Sequence, residues 1–157
     1  MANWKRPPII KLYEALGALG DGRLEMHGDS AKVWSSSRDK AYDVLYDPTA
    51  NAIMANDNGS YWQGYLGYPA LSYLLARGVL AFDSRLSEYL SGFAWKEINT
   101  RFKNDWDQAE RYVRSEMTGK YPDLDLDWFD NQLARLMREL MALGLSKLGP
   151  RLKPPKA

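Results

Sequence analysis

The apolar residues of this chain change their spacing twice, and that pattern restricts the fold more than any other feature. Ile9, Leu12, Tyr13, Leu16 and Leu19 recur at helical spacing until Gly20-Asp21-Gly22 interrupts them, which predicts a first, amphipathic helix. From Arg23 the period becomes two. Leu24 and Met26 alternate with Arg23, Glu25 and His27, and Gly28-Asp29 offers a turn; Ala31, Val33 and Ser35 then alternate with Lys32, Trp34 and Ser36, and Ser36-Ser37-Arg38-Asp39 offers another. Tyr42, Val44 and Tyr46 share one parity opposite Asp43, with Asp47-Pro48 ending the run, and Asn51 to Asn56 forms a fourth short strand. Alternation of this kind marks strands with one face buried. For the Ala41 region, a short helix beginning near Ser37 is the competing reading.

The stretch Asn56 to Leu75 is dense in aromatics and glycines. Asn58-Gly59 has the residue types of a tight hairpin turn, so a fifth strand is expected beyond it. Trp62, Gly64 and Leu66 would face inward there, and Tyr61, Gln63 and Tyr65 outward. Gly67-Tyr68-Pro69 turns the chain, with Pro69 suited to a first helical turn. From Pro69 to about Leu80 the sequence is apolar on nearly every side, as in a buried central helix. Three further helices are expected: one marked by Leu86, Tyr89, Leu90, Phe93, Ile98 and Phe102, one by Trp106, Ala109, Val113 and Met117, and one from Phe129 to Leu148. Asp125 or Asp127 would cap the last.

The expected fold is therefore α+β: an N-terminal helix, a four- to five-stranded antiparallel meander, a buried crossing helix and a three-helix C-terminal half. One domain covers residues 1–148, with its sheet in about 1–82 and its helical part in about 83–148. Residues 149–157 form a basic, proline-rich tail whose composition favours disorder.

Several chemistries are excluded. The chain has no cysteine, so disulfides, thiolate catalysis and cysteine-built metal sites are ruled out, and a cytoplasmic setting is expected. Neither GxxxxGK[ST] nor GxSxG occurs, and Gly20, Gly22 and Gly28 lack the GxGxxG spacing. No nucleotide cofactor is expected. Asp123, Asp125 and Asp127 alternate like the start of a calcium loop, but Trp128 and Ala134 stand where the loop needs Gly and Glu, so no metal is expected either. Lys11 and Glu14 interrupt what would have to be a signal-peptide core. Ala70 to Phe82 contains Arg77 and falls far short of the ~20 residues that span a bilayer. No membrane partner is expected.

With 21 basic and 20 acidic residues the chain carries no global pull toward nucleic acid. Between Arg23 and Gly67 four basic residues meet six acids, whereas a sheet that follows a phosphate backbone should be positive. Only Arg151, Lys153 and Lys156 of the tail could add weak contacts to nucleic acid.

Two function classes follow. The favoured one is a non-enzymatic binding or assembly module acting through the outer face of the sheet or the C-terminal helix. Met141, Leu145 and Leu148 would form a second apolar surface on that helix, and a homodimer is expected. The alternative is a small-molecule-binding protein or enzyme with a site around His27, the only histidine. Strand parity gathers Glu25, His27, Trp34, Asp43, Tyr61 and Tyr65 on the outer face, with Gln63 beside them, and a register slip of one residue would disperse them.

Overall fold

The structure, a computed structural model, describes residues 3–156, so Ala157 of the tail lies outside the described residues. Helix α1 (Ile10–Gly20) is followed by β1 (Leu24–His27), β2 (Ser30–Trp34), β3 (Ala41–Asp47) and β4 (Ala52–Ala55). The chain continues through a single π-helical turn (Gly59–Gln63) into α2 (Tyr68–Arg77), α3 (Ser84–Tyr89), α4 (Trp95–Arg101), α5 (Trp106–Lys120), α6 (Leu126–Ala142) and β5 (Ser146–Lys147). The fold is α+β, as the two changes of period imply.

β1 to β4 form an antiparallel meander. Val33 lies between Leu24 and Tyr42, and Lys32 lies between Glu25 and Asp43. The inward parity of Ala31, Val33 and Val44 is buried, and α2 packs across it. Pro69 sits in the first turn of α2, and Gly78, with φ of 83°, ends the helix by donating to the Leu75 carbonyl. Helix α1 is more enclosed than its sequence pattern suggests. From Leu12 to Ala18 every residue is buried, because α2 covers one side, α3 another, and the phenol of Tyr13 donates to Glu110 of α5 at 2.7 Å.

Three expectations are corrected. Residues 60–66 form no strand. The Asp57 carboxylate accepts from the backbone N–H of Ser60 at 3.2 Å and from its hydroxyl at 2.6 Å, which is N-cap chemistry and winds the chain into a helical turn. Asn58 is right-handed helical, and the left-handed residue is Gly64, with φ of 74°. Trp62, expected in the core, is 67% exposed.

The helix expected across Leu86 to Phe102 is two helices, because Gly92 takes φ of 82° between them and donates its N–H to Asp21 Oδ1 at 2.7 Å. The last helix stops at Ala142 instead of Leu148, since Gly144 with φ of 60° ends it. Its cap is Asp125, which accepts from the N–H groups of Asp127 and Trp128.

The residues past Gly144 supply the fifth strand, and it is parallel. Ser146 and Lys147 run beside Ala52 and Ile53 of β4, and Asn3 pairs with Ser146 from the other end of the chain. Trp4 donates its backbone N–H to Leu145 and its indole N–H to the Ile53 carbonyl at 3.0 Å. In the tail, Arg151 lies 4.6 Å over the Tyr61 ring and donates to the Tyr61 carbonyl. Among the described residues no helix is long and apolar enough to cross a membrane.

Candidate ligand-binding cleft

The residues singled out from sequence fall in two places. Glu25, Lys32 and Asp43 stand in a row across β1, β2 and β3, on the parity they share with His27 and Trp34. Lys32 Nζ donates to Asp43 Oδ1 at 3.0 Å, and His27 Nε2 lies 3.6 Å from Glu25 Oε1. Both partners of that second pair are more than half exposed, so the pair is open to water and screened. Tyr61, Gln63 and Tyr65 do not join this face, because a helical turn has no strand parity. Tyr61 packs edge-on to Trp62 at 4.7 Å. Gln63 and Tyr65 line a cleft on the opposite side of the sheet, together with Glu14 and Lys11 of α1. Of the apolar surface expected on the last helix, Met141 is 38% exposed, Leu145 is buried in the chain's own core, and Leu148 is half-buried beyond the helix end.

The cleft consists of two adjoining hollows of about 470 and 500 Å³, which share Glu14, Tyr42, Asn58, Tyr68, Asn99 and Asn104. α1 places Lys11 and Glu14 one turn apart on the face that meets the cleft. Glu14 is only 2% exposed. Its Oε1 accepts from Asn99 Nδ2 of α4 at 2.6 Å, and its Oε2 lies 3.0 Å from Lys11 Nζ, in an ion pair that lacks hydrogen-bond alignment. Lys11 in turn sits 4.2 Å over the Trp106 ring.

Arg23, the residue that leads from the α1 turn into β1, is also 2% exposed. Its Nη1 donates to the Trp34 carbonyl at 2.8 Å, and its Nε stands 3.6 Å from Asp21 Oδ2. The guanidinium lies 5.7 Å from the Tyr68 ring, which meets Tyr42 edge-on.

Burial raises the pKa of the Tyr68 and Tyr42 phenols, and nearby Glu14 and Asp57 add to the effect. Both hydroxyls therefore stay protonated and offer neutral hydrogen bonds. Burial also raises the Asp57 carboxyl, against the hydrogen bonds from Ser60 that favour its ionised form. Gly67 is the residue that admits Asp57 here, since a Cβ at that position would lie 1.9 Å from Asp57 Oδ2.

The rim is tied together by the β2–β3 loop. Ser35 Oγ and Ser37 Oγ donate to Asp39, Asp39 pairs with Lys96, and Ser36 Oγ accepts the Lys96 N–H in the first turn of α4 at 2.9 Å. Hydrogen bonding by Lys96, Ser37 and Ser35 holds the Asp39 carboxyl well below the usual carboxylate range.

Among the described residues, five buried side-chain polar atoms have no hydrogen-bond partner in the protein: Glu14 Oε2, Arg23 Nε and Nη2, Trp95 Nε1 and Asn99 Oδ1. All four residues line the same hollow. Trp95 Nε1 is turned toward α1, where a Cβ on Gly17 would come within 2.9 Å of it. Of the rest, Glu14 Oε2 has the Lys11 ammonium at 3.0 Å and Arg23 Nε faces Asp21 at 3.6 Å.

Sequence reading passed over these residues. The one available signal was charge out of place: Glu14 sits in a helix whose neighbours Leu12, Tyr13, Ala15 and Leu16 are all apolar. Among the described residues no three carboxylates or histidines come close enough to hold a metal ion.

The chain belongs to the family described as uncharacterised conserved protein UCP014422, matched over residues 4–146, a span that contains every cleft residue. No curated protein and no solved structure matches the chain significantly.

Proposed function

We propose that this protein binds a small polar molecule in the cleft between α1, α4 and the inner face of the sheet. The observation that carries the reading is the pair of adjoining hollows lined by the carboxylate, guanidinium and amide side chains of Glu14, Arg23 and Asn99 and by the rings of Tyr42 and Tyr68. Each buried group left unpaired costs roughly 1–3 kcal/mol, more when charged. Folded proteins carry a few such groups per hundred residues, so five in 157 is an ordinary number. These five atoms are sealed from water, so the weight rests on the side chains that line the hollow. The combined hollow is of the size that holds a small molecule, and aromatic side chains from Tyr42, Tyr65, Tyr68 and Trp62 wall it.

The test is native mass spectrometry of the protein purified without denaturation, compared with Glu14→Gln and Asn99→Leu variants whose folding is confirmed by circular dichroism. A retained small molecule that both substitutions release supports the cleft. Wild-type protein that retains nothing, with a melting temperature that no metabolite mixture shifts, overturns it.

A second proposal is self-association at Met141, and the setting we propose for the protein is the cytoplasm. Met141 borders a small apolar pocket of about 80 Å³ lined by Trp4, Pro7, Leu66, Leu140 and Leu145. A residue as large as methionine, exposed beside an apolar hollow, gives a second copy something to cover.

A further inference from the structure

We infer that the ligand of this cleft is a neutral sugar, its ring laid on the Trp62 indole and its hydroxyls bonded by the tyrosines and amides around it; the inference rests on the cleft being a ligand site. The hollow of about 500 Å³ is lined by groups that reach open space. Trp62 is 67% exposed and lines it. The indole is held in place, because Tyr61 packs edge-on to it at 4.7 Å and Arg151 lies 4.6 Å over the Tyr61 ring. The turn that carries Trp62 is closed by Asp57 and Ser60, so folding asks for no indole at this position.

The polar lining comes from uncharged side chains. Burial raises the pKa of the Tyr42, Tyr65 and Tyr68 phenols, with no side-chain hydrogen bond contributing. None of the three oxygens bonds within the described protein and none is among the sealed atoms, so each opens into the hollow. Asn58, Gln63 and Asn104 are exposed and line it too. Asn104 is brought there by two successive left-handed residues, Lys103 and itself, with φ of 52° and 60°, a strained conformation of the kind that functional loops retain.

A phenol hydroxyl and a carboxamide each donate and accept. So does every hydroxyl of a sugar, whereas a carboxylate only accepts and an ammonium only donates. The C–H bonds of a sugar ring carry the slight positive charge that the negative face of an indole attracts. An aromatic platform ringed by groups of mixed hydrogen-bond sense therefore fits a sugar better than a flat heteroaromatic, whose polar atoms lie only on its edge.

Charge points the same way. Lys11 is the one cation lining this hollow, against Glu14 and Asp57, and it already stands 3.0 Å from Glu14 and 4.2 Å over the Trp106 ring. Nothing here is left to hold an anion. The adjoining hollow adds Lys40 and Lys103, which makes a phosphorylated sugar the principal competitor.

The experiment is calorimetric titration and tryptophan fluorescence of the full chain with neutral mono- and disaccharides, their phosphate esters, free nucleobases and aromatic amino acids. A neutral sugar should bind tighter than its own phosphate ester and shift the indole emission to shorter wavelength. Trp62→Ala, checked for folding by circular dichroism, should weaken that sugar on the order of tenfold and remove the emission shift. Tyr65→Phe deletes one neutral hydrogen bond and should weaken it about twofold to tenfold; if Trp62→Ala does not fold, Gln63→Ala takes its place. A sugar that either variant holds as tightly as wild type is not seated as inferred and overturns the proposal. A phosphate ester, nucleobase or aromatic amino acid that binds tighter than every neutral sugar overturns the sugar and leaves the cleft a ligand site. No binding by any probe, with nothing retained in native mass spectrometry, overturns both. If no probe binds but a molecule is retained, its mass and fragmentation decide: a neutral saccharide supports the inference, and any other class overturns it.

Discussion

Gly17→Ala should destabilise this protein, although helix propensity alone says the reverse. Gly17 lies inside α1, where replacing glycine by alanine is worth roughly 0.5–1 kcal/mol in favour of the folded state. A Cβ at this position would lie 2.8 Å from the Leu90 carbonyl oxygen and 2.9 Å from Trp95 Nε1. Carbon and oxygen rest at about 3.3 Å or more, so about half an ångström must be found. The Leu90 oxygen is backbone at the end of α3 and cannot swing aside. The Trp95 indole is 3% exposed and has little room to turn. Overfilling a packed interior in this way costs about 1–3 kcal/mol. The net expectation is a loss of about 1 kcal/mol, or about 3 °C in melting temperature for a domain of this size.

Gly119→Ala is the control. It also lies in a helix, α5, and an added Cβ there meets nothing within 4 Å, so it should gain up to about 1 kcal/mol. Urea titrations of both variants at equal m-value give the two signs. If Gly17→Ala stabilises as Gly119→Ala does, then α1 does not approach α3 and Trp95 this closely.

Trp62→Ala should leave stability within about 0.5 kcal/mol of wild type, as for other surface positions; a loss of about 3–5 kcal/mol, typical of a buried large aromatic, would restore the strand expected from sequence. Leu145→Glu should unfold the chain because Leu145 is core, whereas Met141→Glu should stay folded and turn a dimer into a monomer by sedimentation; wild-type protein that sediments at 17.9 kDa rules out self-association. Asp57 makes a pH prediction. Its native pKa lies above the unfolded value of 3.8, so the native state binds more protons in the window between the two, and stability falls as pH rises through it. The difference in unfolding free energy between wild type and Asp57→Asn should therefore turn against wild type from about pH 4 upward, and a difference that does not vary with pH would contradict this. Taking the difference matters, because Asp83 and Asp105 have lowered pKa values and act in the opposite sense.

Periodicity located α1, β1 to β4, α2 and α5 because each spans enough residues for one face to repeat. It failed where a single residue outranks the repeat. Gly92 and Gly144 break helices whose apolar spacing runs on past them, and Asp57 with Ser60 turns an apparent hairpin into a helical cap. The cleft was harder to read. Glu14 and Asn99 meet across 85 residues of sequence, and no local spacing encodes such a pair. Gln63 and Tyr65 do line the cleft, although they were singled out by a strand parity that does not exist. His27 and Asp43 do share a face as alternation implied, and alternation says nothing of whether a face is concave.

The edge of β4 is closed by β5, Ser146 to Lys147, and Asn3 pairs in turn with Ser146. This orders events during synthesis. The apolar run Ala52-Ile53-Met54-Ala55 is made early, and its outer neighbour Ser146 is made late. At roughly 5–20 residues per second the interval between them is on the order of ten seconds. Through that interval the nascent sheet presents an unpaired hydrophobic edge, the kind of surface on which chains stick to one another. The edge of β4 cannot be sealed until Ser146 has been made, so whatever shields it through that interval bears on the yield of folded protein.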